Sequence, residues 1–334
     1  MSIETQTTHT GLVYKKSTGI YWVNAGDQSV TCSISSRLRK VLIYPTAALS
    51  SNPHRRVQSV EDIRTVDPVA IGDTVNFIEA GDGSGVIIDV QPRHSQLTRR
   101  APGPKPLEQI VVANVDQIVP VVAAAQPKPR WGMVDRYLIG AESCGLPAVI
   151  CITKMDALKG RHAQELDAVI DDYRRIGYPV ILTSSVDGSG MDEVRQALVG
   201  RISVFVGMSG VGKTSLLNRV QPGLGLKVSA INLMLDKGRH TTTGLEMFPL
   251  EAGGHIVDTP GMKTFGFWDL DSEDIANFFR EMQPYVGQCR FGLSCRHDTE
   301  PGCAIKAAVE DGSISQRRYQ SYGFIRDHIQ AEEK

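Results

Sequence analysis

Gly207-Met208-Ser209-Gly210-Val211-Gly212-Lys213-Thr214-Ser215 is the stretch on which the fold of this chain turns. It follows the apolar run Ile202 to Val206 and precedes the helical pattern Leu216 to Val220, so a G-x-x-x-x-G-K-[ST] loop sits between a strand and a helix. Glycines there let backbone N–H groups approach phosphate oxygens, and the helix N-terminus adds positive potential. Lys213 is expected to reach the outer phosphates, and Thr214 to ligate Mg²⁺.

Downstream, the strand-like His255-Ile256-Val257 ends in Asp258-Thr259-Pro260-Gly261. Asp258 at the strand's carboxyl end can hold Mg²⁺ through water, and Gly261 can contact a γ-phosphate. Between the two motifs, Gly238-Arg239-His240-Thr241-Thr242-Thr243 is a polar loop in which Thr241 or Thr242 offers a second hydroxyl to the metal. Met262 follows Gly261 where many nucleotide hydrolases carry a glutamine that orients the attacking water. A thioether cannot do that, so slow intrinsic hydrolysis is expected, with His240 as a catalytic candidate and Lys263 as an alternative source of positive charge.

The base-selecting signal lies upstream. A strand over Ala148 to Ile152 leads into Thr153-Lys154-Met155-Asp156, and one over Val180 to Leu182 leads into Thr183-Ser184-Ser185. Asp156 would accept hydrogen bonds from guanine N1–H and the 2-amino group, which adenine cannot supply in that arrangement. Lys154 would pack over the base, and Ser184 with its backbone neighbours would meet the guanine oxygen. Here the base motif precedes the phosphate loop, the reverse of the usual order, so the sheet is circularly permuted. The segment after Asp258 then runs directly into the carboxy-terminal region, which nucleotide state could move.

Cys289, Cys295, His297 and Cys303 provide three thiolates and an imidazole within a short polar segment, enough for one tetrahedral structural zinc ion with no open position. The chain has 334 residues, 41% apolar and 22% charged, an ordinary globular composition with room for two or three domains. The net charge of -1 favours no partner, but the 12 Lys/Arg against 9 Asp/Glu up to Lys105 make the front mildly basic, which permits nucleic-acid contact. Met1 to Thr10 holds no apolar run, so a cytoplasmic location away from membranes is expected.

Short alternating runs (Leu12 to Tyr14, Ile20 to Val23, Val30 to Cys32, Thr74 to Ile78, Gly85 to Val90) predict a small β-barrel. Within it, Ser35 to Val66 reads as a long loop with an edge strand over Val41 to Tyr44. Gln91 to Pro106, with Arg93, Arg99, Arg100 and Lys105 among four prolines, reads as a basic linker. Beyond it, strands over Ile118 to Ala123, Ala148 to Ile152 and Val180 to Leu182 alternate with helices over Trp131 to Cys144, His162 to Ile176 and Met191 to Leu198, an α/β pattern. The expected architecture is multidomain: a barrel over residues 1–92, a linker over 93–106, a permuted α/β P-loop domain over 107–268 and a small α-rich zinc domain over 269–334. In the last, Ser313 to Gln330 carries Arg317, Arg318, Tyr319 and Tyr322 on a helical pattern that serves either a packed amphipathic face or RNA stacking.

The permuted order, Gly207 to Ser215, Gly238 to Thr243, Asp258 to Gly261 and the Cys-Cys-His-Cys cluster together resemble the ribosome small-subunit-dependent GTPase family (RsgA/YjeQ) over nearly the whole chain. That resemblance implies an amino-terminal OB-fold, a permuted GTPase domain that binds GTP and GDP, and a zinc domain. It further implies a role late in maturation of the small (30S) ribosomal subunit and its 16S rRNA, with hydrolysis stimulated by that subunit; the chain itself is expected to be a monomer. The chain departs from the family pattern at Thr153, where asparagine is usual, in the Cys289 to Cys295 spacing, one residue longer, and in the length of Ser35 to Val66. Two alternatives stay open on sequence alone: a non-catalytic RNA-binding checkpoint with nucleotide as a structural ligand, and an ATP-using P-loop enzyme.

Overall fold

The computed structural model describes residues 7–26, 28–36, 38, 67–80, 82–101, 108–224, 246–258 and 270–333. Strands β1 (Thr8–Ser17), β2 (Ile20–Ala25), β3 (Gln28–Ile34), β4 (Thr74–Glu79) and β5 (Ser84–Val90) pair in the order β1-β2-β3-β5-β4, and β4 returns to β1 to close the barrel. Only the β3–β5 pairing is parallel. A five-stranded barrel of this order is OB-like. Alternation fills it: Val13, Tyr21, Val23, Val30, Cys32, Val75, Phe77 and Ile87 point inward. Gly85 lets the last strand close, since a Cβ there would lie 2.7 Å from Cys32 Sγ.

Apart from Ser35, Ser36 and Leu38, the loop read over Ser35 to Val66 lies outside the described residues, as does the expected edge strand over Val41 to Tyr44. The segment read as a basic linker is partly ordered. Strand β6 (Gln96–Arg100) pairs antiparallel with β7 (Glu108–Ala113), and Leu97 is fully buried. Arg93 donates 2.7 Å bonds from Nε and Nη2 to the two oxygens of buried Asp73, and a third to the Pro68 carbonyl. One leucine and one buried carboxylate thus tie down a stretch whose prolines and arginines suggested a free tether.

The central sheet runs β10 (Val180–Leu182), β9 (Ile150–Thr153), β8 (Gln117–Ala123), β11 (Ile202–Val206), β13 (His255–Asp258), β12 (Glu246–Pro249), all parallel except β12. Successive side chains go to opposite faces. Ile118, Val122, Ile150, Ile152, Val204 and Val257 pack with helices α1 (Trp131–Ser143) and α2 (Arg161–Ile176). Val119, Val121, Cys151, Phe205 and Ile256 pack with α3 (Met191–Leu198) and α4 (Lys213–Val220). Burial on both faces explains why these strands read as unbroken apolar runs.

The barrel is joined to this sheet through one strand. β1 meets β12 at Lys15 and Glu246, bridged at 3.3 Å, while Leu12 and Tyr14, facing away from the barrel interior, pack on the core that holds Met247. After residue 270 come short 3₁₀ turns, then α5 (Ala304–Glu310) and α6 (Gln316–Glu333) around Phe279, Met282, Ile305, Tyr322, Ile325 and Ile329. No described helix is long and apolar enough to cross a membrane.

Candidate nucleotide site and metal centre

The phosphate loop leaves β11 at Val206 and enters α4 at Lys213. Gly207 is dictated by space: a Cβ would sit 2.4 Å from the Val121 carbonyl oxygen of the neighbouring strand β8. Lys213 Nζ donates to the carbonyls of Gly207 at 2.6 Å and Met208 at 3.3 Å, which holds the ammonium over the loop. Burial pushes its pKa down, and the Asp258 carboxylate opposes that shift. Asp258 ends β13, opposite Phe205 of β11, so its carboxylate and Lys213 share one pole of the site. Ser209, Gly210, Val211, Gly212, Thr214 and Ser215 complete the loop and the first turn of α4.

The base motif comes to the same cleft. Thr153, almost fully buried at the end of β9, points its hydroxyl at the Val211 carbonyl, with the Val122 carbonyl farther off at 3.3 Å. Lys154, in left-handed conformation at φ 60°, donates 2.7 Å bonds to the carbonyls of Gly210 and Gln126. Residues distant in sequence are therefore bonded two and three positions from Lys213. Met155 and Asp156 form a 3₁₀ turn with Asp156 exposed, and the Met155 N–H donates to the Thr183 carbonyl at 3.2 Å.

Ser184 does something the sequence did not suggest. Its buried hydroxyl donates to Asp156 Oδ1 at 2.6 Å and accepts the N–H groups of Val186 and Asp187 at 3.2 and 3.3 Å. It thereby fixes the orientation of the Asp156 carboxylate. Gln126 was also missed, because a backbone carbonyl carries no residue-type signal. Gly238 to Thr243, with His240, Thr241 and Thr242, lies outside the described residues, as do Gly261, Met262 and Lys263.

In the carboxy-terminal region Cys289, Cys295, His297 and Cys303 are all buried, with ligand atoms within 4.8 Å of one another. Cys289 and Cys303 sulfurs lie 3.8 Å apart, and each is 3.4 Å from His297 Nδ1. A tetrahedron with metal–sulfur bonds of about 2.3 Å has sulfur–sulfur edges of about 3.8 Å, so the donor set fits a single ion. The Ala304 N–H points at Cys289 Sγ from 3.3 Å, support of the kind that coordinated thiolates receive. Tyr319 donates to the His297 carbonyl at 2.7 Å, and Tyr322 and Arg326 donate to that of Arg296 at 3.0 and 2.9 Å. Arg318 and Tyr322 are buried and Arg317 is bonded to Asp135, Tyr173 and Asp172, so these three side chains pack on protein, in keeping with a packed helix face and not with RNA stacking by those residues.

A family model described as the RsgA GTPase matches residues 90–268, a span that holds the base motif, the phosphate loop and Asp258. The chain belongs to the RsgA GTPase family. It is accordingly a GTP-hydrolysing enzyme with the GTP and Mg²⁺ use that this fold implies. It is 37% identical over 313 residues to the small ribosomal subunit biogenesis GTPase RsgA of Bacteroides fragilis, covering 93% of this chain and 94% of that one. Against the RsgA of Pseudomonas aeruginosa it is 42% identical over 254 residues, 76% of this chain and 74% of the other. Among solved structures, YjeQ from Thermotoga maritima superposes with a TM-score of 0.71 at 28% identity over 97% of this chain and 99% of its own. YloQ, described as a circularly permuted GTPase, gives 0.67 at 26% identity over 99% and 98%.

Proposed function

We propose that this RsgA-family enzyme hydrolyses GTP during late maturation of the small (30S) ribosomal subunit, binding the subunit and its 16S rRNA in a nucleotide-dependent way as a cytoplasmic monomer. Its relatives carry small-subunit biogenesis in their names. The observation that carries the reading is the bonding of Thr153 and Lys154 to the phosphate loop, which gives base and phosphate motifs one cleft.

In this scheme residues 1–92 are the RNA-facing barrel, 107–268 the GTPase domain and 269–334 a zinc domain, with 93–106 as the join. Gly207 to Ser215 bind the phosphates, Lys213 neutralises the outer ones, and Asp156, oriented by Ser184, accepts the guanine donors. Thr214 and Asp258, with Thr241 or Thr242, are the residues that would hold Mg²⁺, which supplies charge neutralisation across the phosphates. Gly261 senses the γ-phosphate. Met262 cannot orient a water, so intrinsic turnover is slow, and His240 takes that role when the subunit is bound. Cys289, Cys295, His297 and Cys303 hold one structural zinc, chosen by three soft thiolates over hard-cation alternatives.

Phosphate release measured with and without purified small subunits tests this. Turnover rises several-fold with subunits, and GTP-bound protein co-sediments with them more than GDP-bound protein. Equal rates in both conditions would remove the mechanism.

A further inference from the structure

Asp135, near the start of α1, has no solvent exposure. It accepts a 2.6 Å bond from Tyr173 Oη of α2. Three side chains of α6 also donate to it: Arg318 Nη1 at 2.7 Å, Arg317 Nη1 at 3.0 Å and the Ser321 hydroxyl. Arg318, equally buried, also grips both oxygens of Glu281, and Arg317 reaches Asp172 at 3.0 Å. Burial alone would push the Asp135 carboxyl up. The Arg318 and Arg317 guanidiniums, with the Ser321 and Tyr173 hydroxyls, outweigh burial and hold it below its ordinary value.

Buried ion clusters are weak stabilisers compared with apolar packing of equal volume, and in some proteins their directional bonds serve to fix geometry. Here the geometry fixed is the start of α1. Residues 124–130 join β8 to that point, and the Gln126 carbonyl within them accepts the Lys154 ammonium. Pro127 and Pro129 stiffen the join. Together with Met133 and Tyr137 of α1 they line a narrow cleft against Met208 and Val211 of the phosphate loop. A displaced α1 therefore moves the carbonyl that holds Lys154.

We propose that Asp135, seated by Arg317, Arg318 and Ser321 of the carboxy-terminal domain, is a positioning residue of the nucleotide site that acts through the Gln126 carbonyl on Lys154. The inference rests on the GTP-site reading above. It makes the carboxy-terminal domain a determinant of nucleotide affinity through side chains whose hydrogen bonds go to Asp135, Asp172, Tyr173 and Glu281.

The test is a double-mutant cycle on the full chain, with GDP and Mg²⁺ in a calorimeter, over wild type, Asp135→Asn, Lys154→Ala and the double variant. D135N weakens GDP binding about tenfold, the order expected for loss of a well-placed charge-assisted contact, and adds under about twofold in the K154A background. Wild-type affinity in D135N overturns the proposal, as does an undiminished loss in the K154A background. If circular dichroism shows D135N unfolded, Arg317→Met and Ser321→Ala each take away a donor to Asp135 and serve in the same cycle, with losses of about threefold that vanish with K154A. A wild-type protein that binds no GDP would instead defeat the GTP-site reading.

Discussion

Thr153 stands where the family pattern has asparagine, and the structure gives that threonine a job. A hydroxyl has one proton, and the Val211 carbonyl in the phosphate loop is its nearer acceptor, with the Val122 carbonyl a longer one at 3.3 Å. The bond locks the base motif to the loop from a shorter side chain than asparagine. Thr153→Val keeps the shape, removes the donor and leaves a buried carbonyl unanswered, so GDP affinity falls about tenfold, corresponding to roughly 1–1.5 kcal/mol. Thr153→Ser retains most of it. Calorimetry decides, and a valine variant that binds like wild type would show the bond to be idle. At this scale the sequence was legible where the signal is local, as with the phosphate-loop sequence that sits between β11 and α4. It placed Ser184 in the base motif but was silent on its bond to Asp156, which forms only after two strands lie side by side.

Elements that bury both faces or alternate strictly were readable, which is why the barrel strands and the central β8, β9 and β10 with their helices follow the pattern of the chain. Gln96–Arg100 was not, because its order comes from Leu97 and its partner strand. The β11-to-α4 junction shows how tightly one element constrains another. Val206 pairs with Pro120 of β8, so the Val121 carbonyl that a Cβ on residue 207 would strike is itself held in the sheet. Gly207→Ala must displace either strand, and we expect about 1–3 kcal/mol of destabilisation in urea unfolding together with loss of GDP binding. A variant with an unchanged urea midpoint would mean that the strands give way more easily than their pairing implies.

Across the whole molecule, α6 is gripped at two places by different chemistry. Its first turns carry Arg317, Arg318 and Ser321 into Asp135, Asp172 and Glu281, while Tyr319, Tyr322 and Arg326 hold the backbone at Arg296 and His297 in the metal knuckle. Neither grip was legible, since Asp135 and Arg318 are 183 positions apart and helical periodicity names a face without naming its partner. The first grip opposes free swinging of the carboxy-terminal domain, which narrows how nucleotide state can move it. The two grips also separate under metal removal. A bound ion would cross-link the four knuckle ligands beyond the grip that Tyr319, Tyr322 and Arg326 already exert, whereas the ion cluster needs no metal. After chelation, hydrogen exchange should accelerate across residues 289–303 and the last turns of α6, while residues 316–321 and α1 keep their protection. If the entire helix opens together, the knuckle governs the docking and the charged seat at Asp135 merely follows it.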